Sequence, residues 1–131
     1  REYITQSLFD IHYHSQIDYV NIRKAMQPYQ LKNAYLILKE SINNALKHAK
    51  ANEIVISFFL KNGWANLEVV DNGIGFRQHT IASGSGLHNM QKRAQEINGH
   101  LTVTSKTKEG TKVKVLIPIQ QSNGKKIRIN R

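Results

Sequence analysis

Apolar Phe9, Ile11 and Tyr13 alternate with polar Asp10, His12 and His14, the period of two that a half-buried strand requires. A strand is expected over residues 8–14. Further on, Pro28 suits the first turn of a helix, and Leu31, Tyr35, Leu38, Ile42, Ala45 and Ala49 recur at steps of three and four. That spacing predicts a long amphipathic helix over 29–49. Glu53 to Leu60 is rich in β-branched and aromatic residues, Asn62-Gly63 is a tight-turn pair, and Trp64 to Val70 is again apolar, so an antiparallel hairpin follows. The stretch DNGIGFRQHTIASGSG (71–86) breaks all periodicity and reads as a long glycine-rich loop, a kind that often carries function. Leu87, Met90, Ala94 and Ile97 then mark a second helix, with Gly99 expected as its left-handed cap. A last hairpin has Leu101 and Val103 alternating with Thr102 and Thr104, a turn over Lys106 to Gly110, and Val113, Val115 and Ile117 alternating with Lys112, Lys114 and Leu116 until Pro118. Hairpins with separate helices predict an α+β fold, a two-layer sandwich with helices on one face of a mostly antiparallel sheet.

Length and composition narrow the class. A chain of 131 residues with 40% hydrophobic and 21% charged residues has the make-up of one ordinary globular domain. We divide it into a domain over 1–118 and a basic tail over 119–131. With no cysteine, disulfides, thiol nucleophiles and cysteine-ligated zinc are excluded. No apolar run is long enough to span a membrane, and the start lacks a secretory h-region, so a cytoplasmic location is expected, with a parent protein that can still be membrane-anchored. Because the chain opens on Arg1, it reads as a fragment of something longer. The net charge of +10 is uneven: residues 101–131 carry eight Lys or Arg against one Glu, and residues 1–100 carry eleven against eight acidic residues. Such a bias attracts polyanions without choosing among them. Aromatic and basic residues are not interleaved as in stacking platforms for single strands, so nucleic acid is not an expected partner.

Several polar groups sit where packing alone would not put them. Glu40 and Asn44 share one helix face a turn apart, and Asn43-Asn44 occupies a helix interior that propensity would give to alanine or leucine. A carboxylate and an amide oxygen at that spacing suit magnesium, which takes one or two protein oxygens and completes its shell with water and phosphate. Lys47 is three residues beyond Asn44 and within reach of the same phosphates. Asp71 ends an apolar strand and is followed by Gly73 and Gly75, so a carboxylate able to accept from an exocyclic amine adjoins flexible backbone. Gly84-Ser85-Gly86-Leu87 leads into a helix whose free amides favour phosphate. Neither glycine cluster fits the P-loop or the dinucleotide fingerprint. His12 and His14 share a strand face with no third metal ligand in reach, and the six histidines form no grouping with serine and aspartate.

The ordered series Glu40-x-x-x-Asn44, Asp71-x-Gly73-x-Gly75, Gly84-x-Gly86-Leu87 and Gly110-Thr111 is more specific than any part of it. It resembles the ATP-binding domain shared by sensor histidine kinases, gyrase-type topoisomerases, Hsp90 chaperones and mismatch-repair ATPases. The resemblance covers residues 8–118. KESINNALKHAKA (39–51), VVDNGIGF (69–76) and the stretch from Gly84 to Pro118 look most like two-component histidine kinases with a short lid. The resemblance implies an α/β sandwich that holds nucleotide between its helices and a mobile lid over residues 76–86. It also implies that Asn44 binds magnesium, Asp71 the adenine amine, and Gly73 and Gly75 the base and lid hinge. Gly84, Ser85, Gly86, Leu87 and His88 would take the phosphates with Lys47 and His48 nearby, and Thr111 would support the adenine site. Glu40 falls where related ATPases place a base or water-orienting carboxylate.

The implied activity is transfer of the ATP γ-phosphoryl group to a histidine on a dimerisation domain, with a response regulator downstream. None of the six histidines stands in an acceptor motif of that kind, so the chain is expected to bind ATP with Mg2+, to autophosphorylate poorly and to be monomeric. The alternative is a degenerate nucleotide-binding or protein-interaction module without kinase activity, against which the intact Asn44, Asp71 and glycine pairs argue.

Overall fold

The computed structural model describes residues 11–47, 50–74, 85–106 and 108–119. Five strands form one sheet: β1 (His12–Ile17), β2 (Glu53–Lys61), β3 (Trp64–Asp71), β4 (His100–Lys106) and β5 (Gly110–Pro118). Their order is β1-β2-β3-β5-β4. Only β1 joins its neighbour in parallel; β2–β3, β3–β5 and β5–β4 are antiparallel. Three helices, α1 (Tyr19–Ala25), α2 (Pro28–Lys47) and α3 (Ser85–Glu96), complete the described secondary structure. Strand alternation decides where the helices lie. Ile54 and Ile56 of β2, Ala65, Leu67 and Val69 of β3, and Val113, Val115 and Ile117 of β5 are buried; α1 packs on β2, α2 on β3 and β5, α3 on β4, and α2 and α3 on each other. The opposite face meets water, with Lys112 and Glu68 at 3.4 Å and the Trp64 and His100 rings 5.6 Å apart. The α+β sandwich with helices on one face is therefore the observed fold. Among the described residues no helix is long and apolar enough to cross a membrane.

Local expectations were met unevenly. Asn62 (φ 55°) and Gly63 (φ 83°) both take the left-handed conformation that a two-residue type I′ hairpin demands. The first strand lies later than residues 8–14, and Phe9 is outside the described residues. Tyr13 pairs with buried Ile54 but remains 40% exposed, because β1 is an edge strand with cover on one side only. Helix α1 has no counterpart among the expected elements: its seven residues hold fewer than two turns, and burial rests on Ile22 with Met26 just beyond it.

The buried stripe of α2 is rotated from the expected one. It runs through Gln30, Asn33, Ala34, Ile37, Ser41 and Ala45, whereas Tyr35 is 59% exposed, Leu31, Leu38 and Ile42 are half-buried, and Ala49 is outside the described residues. The helix touches both the sheet and α3, so its centre line faces the seam between them. Gln30 and Ser41 on that line have their side chains hydrogen-bonded. Gln30 accepts from the Gln27 amide (2.8 Å) and donates to the Pro118 carbonyl (2.8 Å), and Ser41 donates to the Ile37 carbonyl (2.8 Å). At the end of α3 the left-handed residue is Asn98 (φ 55°), not Gly99. Gly99 serves close packing instead: a Cβ there would stand 3.2 Å from the Leu116 carbonyl and 3.3 Å from Val115 Cγ2.

Candidate functional site

The floor of the site is one cross-strand row, Ile54, Asp71, Thr111 and Ser105, on the helix-covered face. Asp71 is the last residue of β3 and only 7% exposed. Burial raises its carboxyl pKa above that of an ordinary aspartate, and backbone bonds from Gly73 and Thr111 offset part of that rise by favouring the charged form. The Gly73 amide donates to Oδ1 at 2.8 Å. Thr111 is itself buried, with its Oγ1 2.8 Å from Ser105 Oγ, and Ser105 also donates to the Gly110 carbonyl at 3.3 Å. A polar strip of carboxylate and two hydroxyls thus crosses an otherwise apolar floor of Val69, Val103 and Val113.

The walls come from the helices. Ser41 and Asn44 of α2 face Leu87 and Met90 of α3 across a cavity of about 330 Å³, counted with the solvent at its mouth. Its interior has room for about one water, 10 Å³. At the outer end the absent side chain of Gly86 lets the first turn of α3 sit against α2. A Cβ there would collide with Glu40 Oε2 and lie 3.5 Å from Asn44 Oδ1. Two oxygen donors therefore converge on a helix amino end whose first four amides have no partner within the helix, and no acidic residue in that turn neutralises them. Among the described residues no three His, Cys, Asp or Glu gather as a complete metal site. Glu40 and Asn44 fit a hard cation that draws its remaining ligands from phosphate and water.

Of the residues singled out in the sequence, Glu40, Asn44, Asp71, Gly73, Gly86, Leu87 and Thr111 come together around this cleft. Lys47 and His88 are exposed at its margin, on the last turn of α2 and the first turn of α3. Ser85 opens α3, slightly earlier than the periodicity suggested, and its side chain is not described. His48, Gly75, Gly84 and nearly all of the expected lid lie outside the described residues, as do residues 120–131 of the basic tail. Sequence reasoning missed Ser41, Met90 and Ser105. Ser41 carried a usable signal, as a small polar residue three before Asn44 within an apolar stripe; Ser105 is revealed only by its register against Thr111.

A carboxylate-floored apolar slot, ending in oxygen donors and a helix amino terminus, is the layout of a nucleotide-binding domain. Residues 30–121 match the family model described as histidine kinase-, DNA gyrase B- and HSP90-like ATPase, and the chain belongs to that family. It is 37% identical over 86 residues to the sensor histidine kinase LiaS of Bacillus subtilis, covering 65% of this chain and 24% of that protein. The chain thus spans about a quarter of the length of that curated relative. Among solved structures, a histidine kinase domain from the Erythrobacter litoralis EL346 blue-light activated histidine kinase superposes with a TM-score of 0.70 at 21% identity, over 87% of this chain and 53% of that one. The mycobacterial sensor histidine kinase MprB superposes at 0.63 with 18% identity, over 90% and 88%. These structural likenesses establish a shared fold.

Proposed function

We propose that this chain is the catalytic and ATP-binding domain of a sensor histidine kinase, passing the γ-phosphoryl group of ATP to a histidine on a dimerisation domain outside residues 1–131. The observation that carries this reading is the meeting of Asp71 and Thr111 on the sheet with Glu40, Asn44 and Gly86 at one cleft. Asp71 accepts from the adenine amine, with the Thr111 and Ser105 hydroxyls beside it, while Val69, Val103 and Met90 cover the ring faces. The α3 amides and Lys47 take the phosphates. Asn44, with Glu40 beside it, holds Mg2+, which when bound neutralises phosphate charge. Glu40 orients the acceptor. Because phosphoryl transfer depends chiefly on in-line positioning and charge neutralisation, this chain needs to supply little covalent chemistry.

In the same proposal the domain occupies residues 1–118, works on the cytoplasmic side, is monomeric alone and feeds a response regulator through its parent protein. The test is to incubate the chain with Mg-ATP and a separately supplied histidine-bearing dimerisation domain. Acid-labile phosphate on that domain is the expected result. Tight ATP binding with no transfer would instead favour a degenerate module. Replacing Asn44 with alanine should leave the fold intact and remove most of the magnesium-dependent gain in affinity for a non-hydrolysable ATP analogue, about tenfold if one charge-assisted contact is lost. Calorimetry with and without Mg2+ checks this, and an unchanged magnesium gain would remove Asn44 from that role.

A further inference from the structure

Asn72 stands beside the buried carboxylate and has no part in the reading above, yet its side chain is held at three points. Oδ1 accepts from the backbone amides of Asn52 and Glu53, each at 3.0 Å, and Nδ2 donates to Asn52 Oδ1 at 2.6 Å. Its own amide donates to the Glu53 carbonyl at 3.2 Å, and the Asn52 carbonyl accepts from His12 at 2.9 Å. The starts of β1 and β2 and the end of β3 therefore meet at this side chain. All of this lies in exposed structure, where hydrogen bonds fix geometry more than they add stability. The placement is telling. Asp71 precedes Asn72, and Gly73, the donor to Asp71 Oδ1, follows it, so the backbone of Asn72 is the link between the carboxylate and its own donor.

We infer that Asn72 is a positioning residue: by clasping the end of β3 to Asn52 and Glu53 it sets the Asp71 carboxylate for discrimination of the base. The inference rests on Asp71 meeting the exocyclic amine of ATP, and the test separates the two claims.

The intact chain and its variants are titrated with ATP and with ITP, which carries the same phosphates but a carbonyl in place of the amine. The wild type should prefer ATP by about tenfold or more, the worth of one bond to a charged group. Asn72→Ala should weaken ATP by about tenfold while ITP stays within about twofold, collapsing the ratio. Asn72→Asp keeps an acceptor for both backbone amides and, once the Asn52 amide turns over, a partner for its second oxygen, so it should retain the ratio within about threefold. Equal losses for ATP and ITP in Asn72→Ala, or a lowered melting temperature with the ratio intact, would mean a merely structural role and overturn the inference. Should Asn72→Ala fail to fold, Asn52→Ala removes only the 2.6 Å bond, and an unchanged ratio there overturns it equally. A wild type with no preference, unaltered by Asp71→Asn, would refute the reading of Asp71 and this inference with it.

Discussion

Replacing Asp71 with asparagine should cost the chain about 10- to 100-fold in ATP affinity and, at neutral pH, make the ligand-free domain more stable. The affinity loss follows from exchanging a charged acceptor for an amide, worth about 1.5–3 kcal/mol when the partner is an exocyclic amine. ITP, whose carbonyl can accept from the new amide, should lose far less. The gain in stability follows from the direction of the pKa shift. Burial raises the folded-state pKa of Asp71 above its unfolded value despite the bonds from Gly73 and Thr111. The folded chain therefore holds the proton more tightly than the unfolded chain. The stability this contributes is full below the unfolded pKa and is lost as pH rises through the folded one, so at pH 7 the ionised carboxylate is a net burden. The neutral amide of the Asp71→Asn variant carries no such burden, and the wild-type and variant melting curves should converge as the pH is lowered into the carboxylate range. Thermal melts from pH 3 to 8 beside calorimetry check both halves. A variant that binds ATP normally would remove Asp71 from the base site, whereas a variant less stable than wild type at pH 7 would contradict the sign of the shift.

Legibility in the sequence followed the range of the interactions involved. Both hairpins were readable because their determinants are local: Asn62-Gly63 supplies two left-handed residues in succession, and alternation at Val113, Val115 and Ile117 fixes which face is buried. Helix α2 was legible in existence and extent but not in orientation. Its stripe depends on α3, about fifty residues away, and a helix wedged between a sheet and another helix buries Gln30, Asn33 and Ser41 where a one-sided helix would place leucines. Helix α1 was invisible because fewer than two turns give too little of a period to count. The parallel placement of β1 on β2 is equally non-local, being fixed by register pairs such as Tyr13 with Ile54.

The site divides in the same way. Asp71, Asn44 and the glycines stand out because aspartate at a strand end, asparagine within a helix and clustered glycine each conflict with local preference. Ser105 and Asn72 are ordinary residues in ordinary contexts. Their importance arises from pairing with Thr111 and Asn52, which chain order does not reveal. Glu40 was legible as half of a helical pair, but its closeness to Gly86 required knowing how α3 meets α2.

Gly110→Ala should be the most damaging single-methyl change in the fold, because it is wrong on two independent counts. Gly110 has φ +96°, a left-handed conformation that costs an L-residue about 1–2 kcal/mol. The new Cβ would also collide with the Asp71 carbonyl oxygen while standing 3.1 Å from its carbonyl carbon and 3.2 Å from Asn72 Cα. These are backbone atoms at the end of a central strand, held on one side by β2 and on the other by β5, so no side chain can swing away to make room. At Gly86, by contrast, an added methyl meets the far end of the flexible Glu40 side chain, which can turn aside. Relief at Gly110 must come from parting the β3 and β5 ends, where the Thr111 bond to Asp71 and the Ser105 bond to the Gly110 carbonyl are made. A combined cost of about 2–4 kcal/mol is a large share of a domain's stability, and it should lower the melting temperature by about 10 °C. ATP affinity should fall in samples still folded, because the displaced backbone is the one that carries the Asp71 carboxylate. The comparison that decides is Gly110→Ala beside Gly86→Ala in melting and in ATP binding. If both lose little stability, the close approach at Gly110 is not maintained in solution; if Gly110→Ala melts early but binds ATP normally when folded, the β5 start does not support the base site.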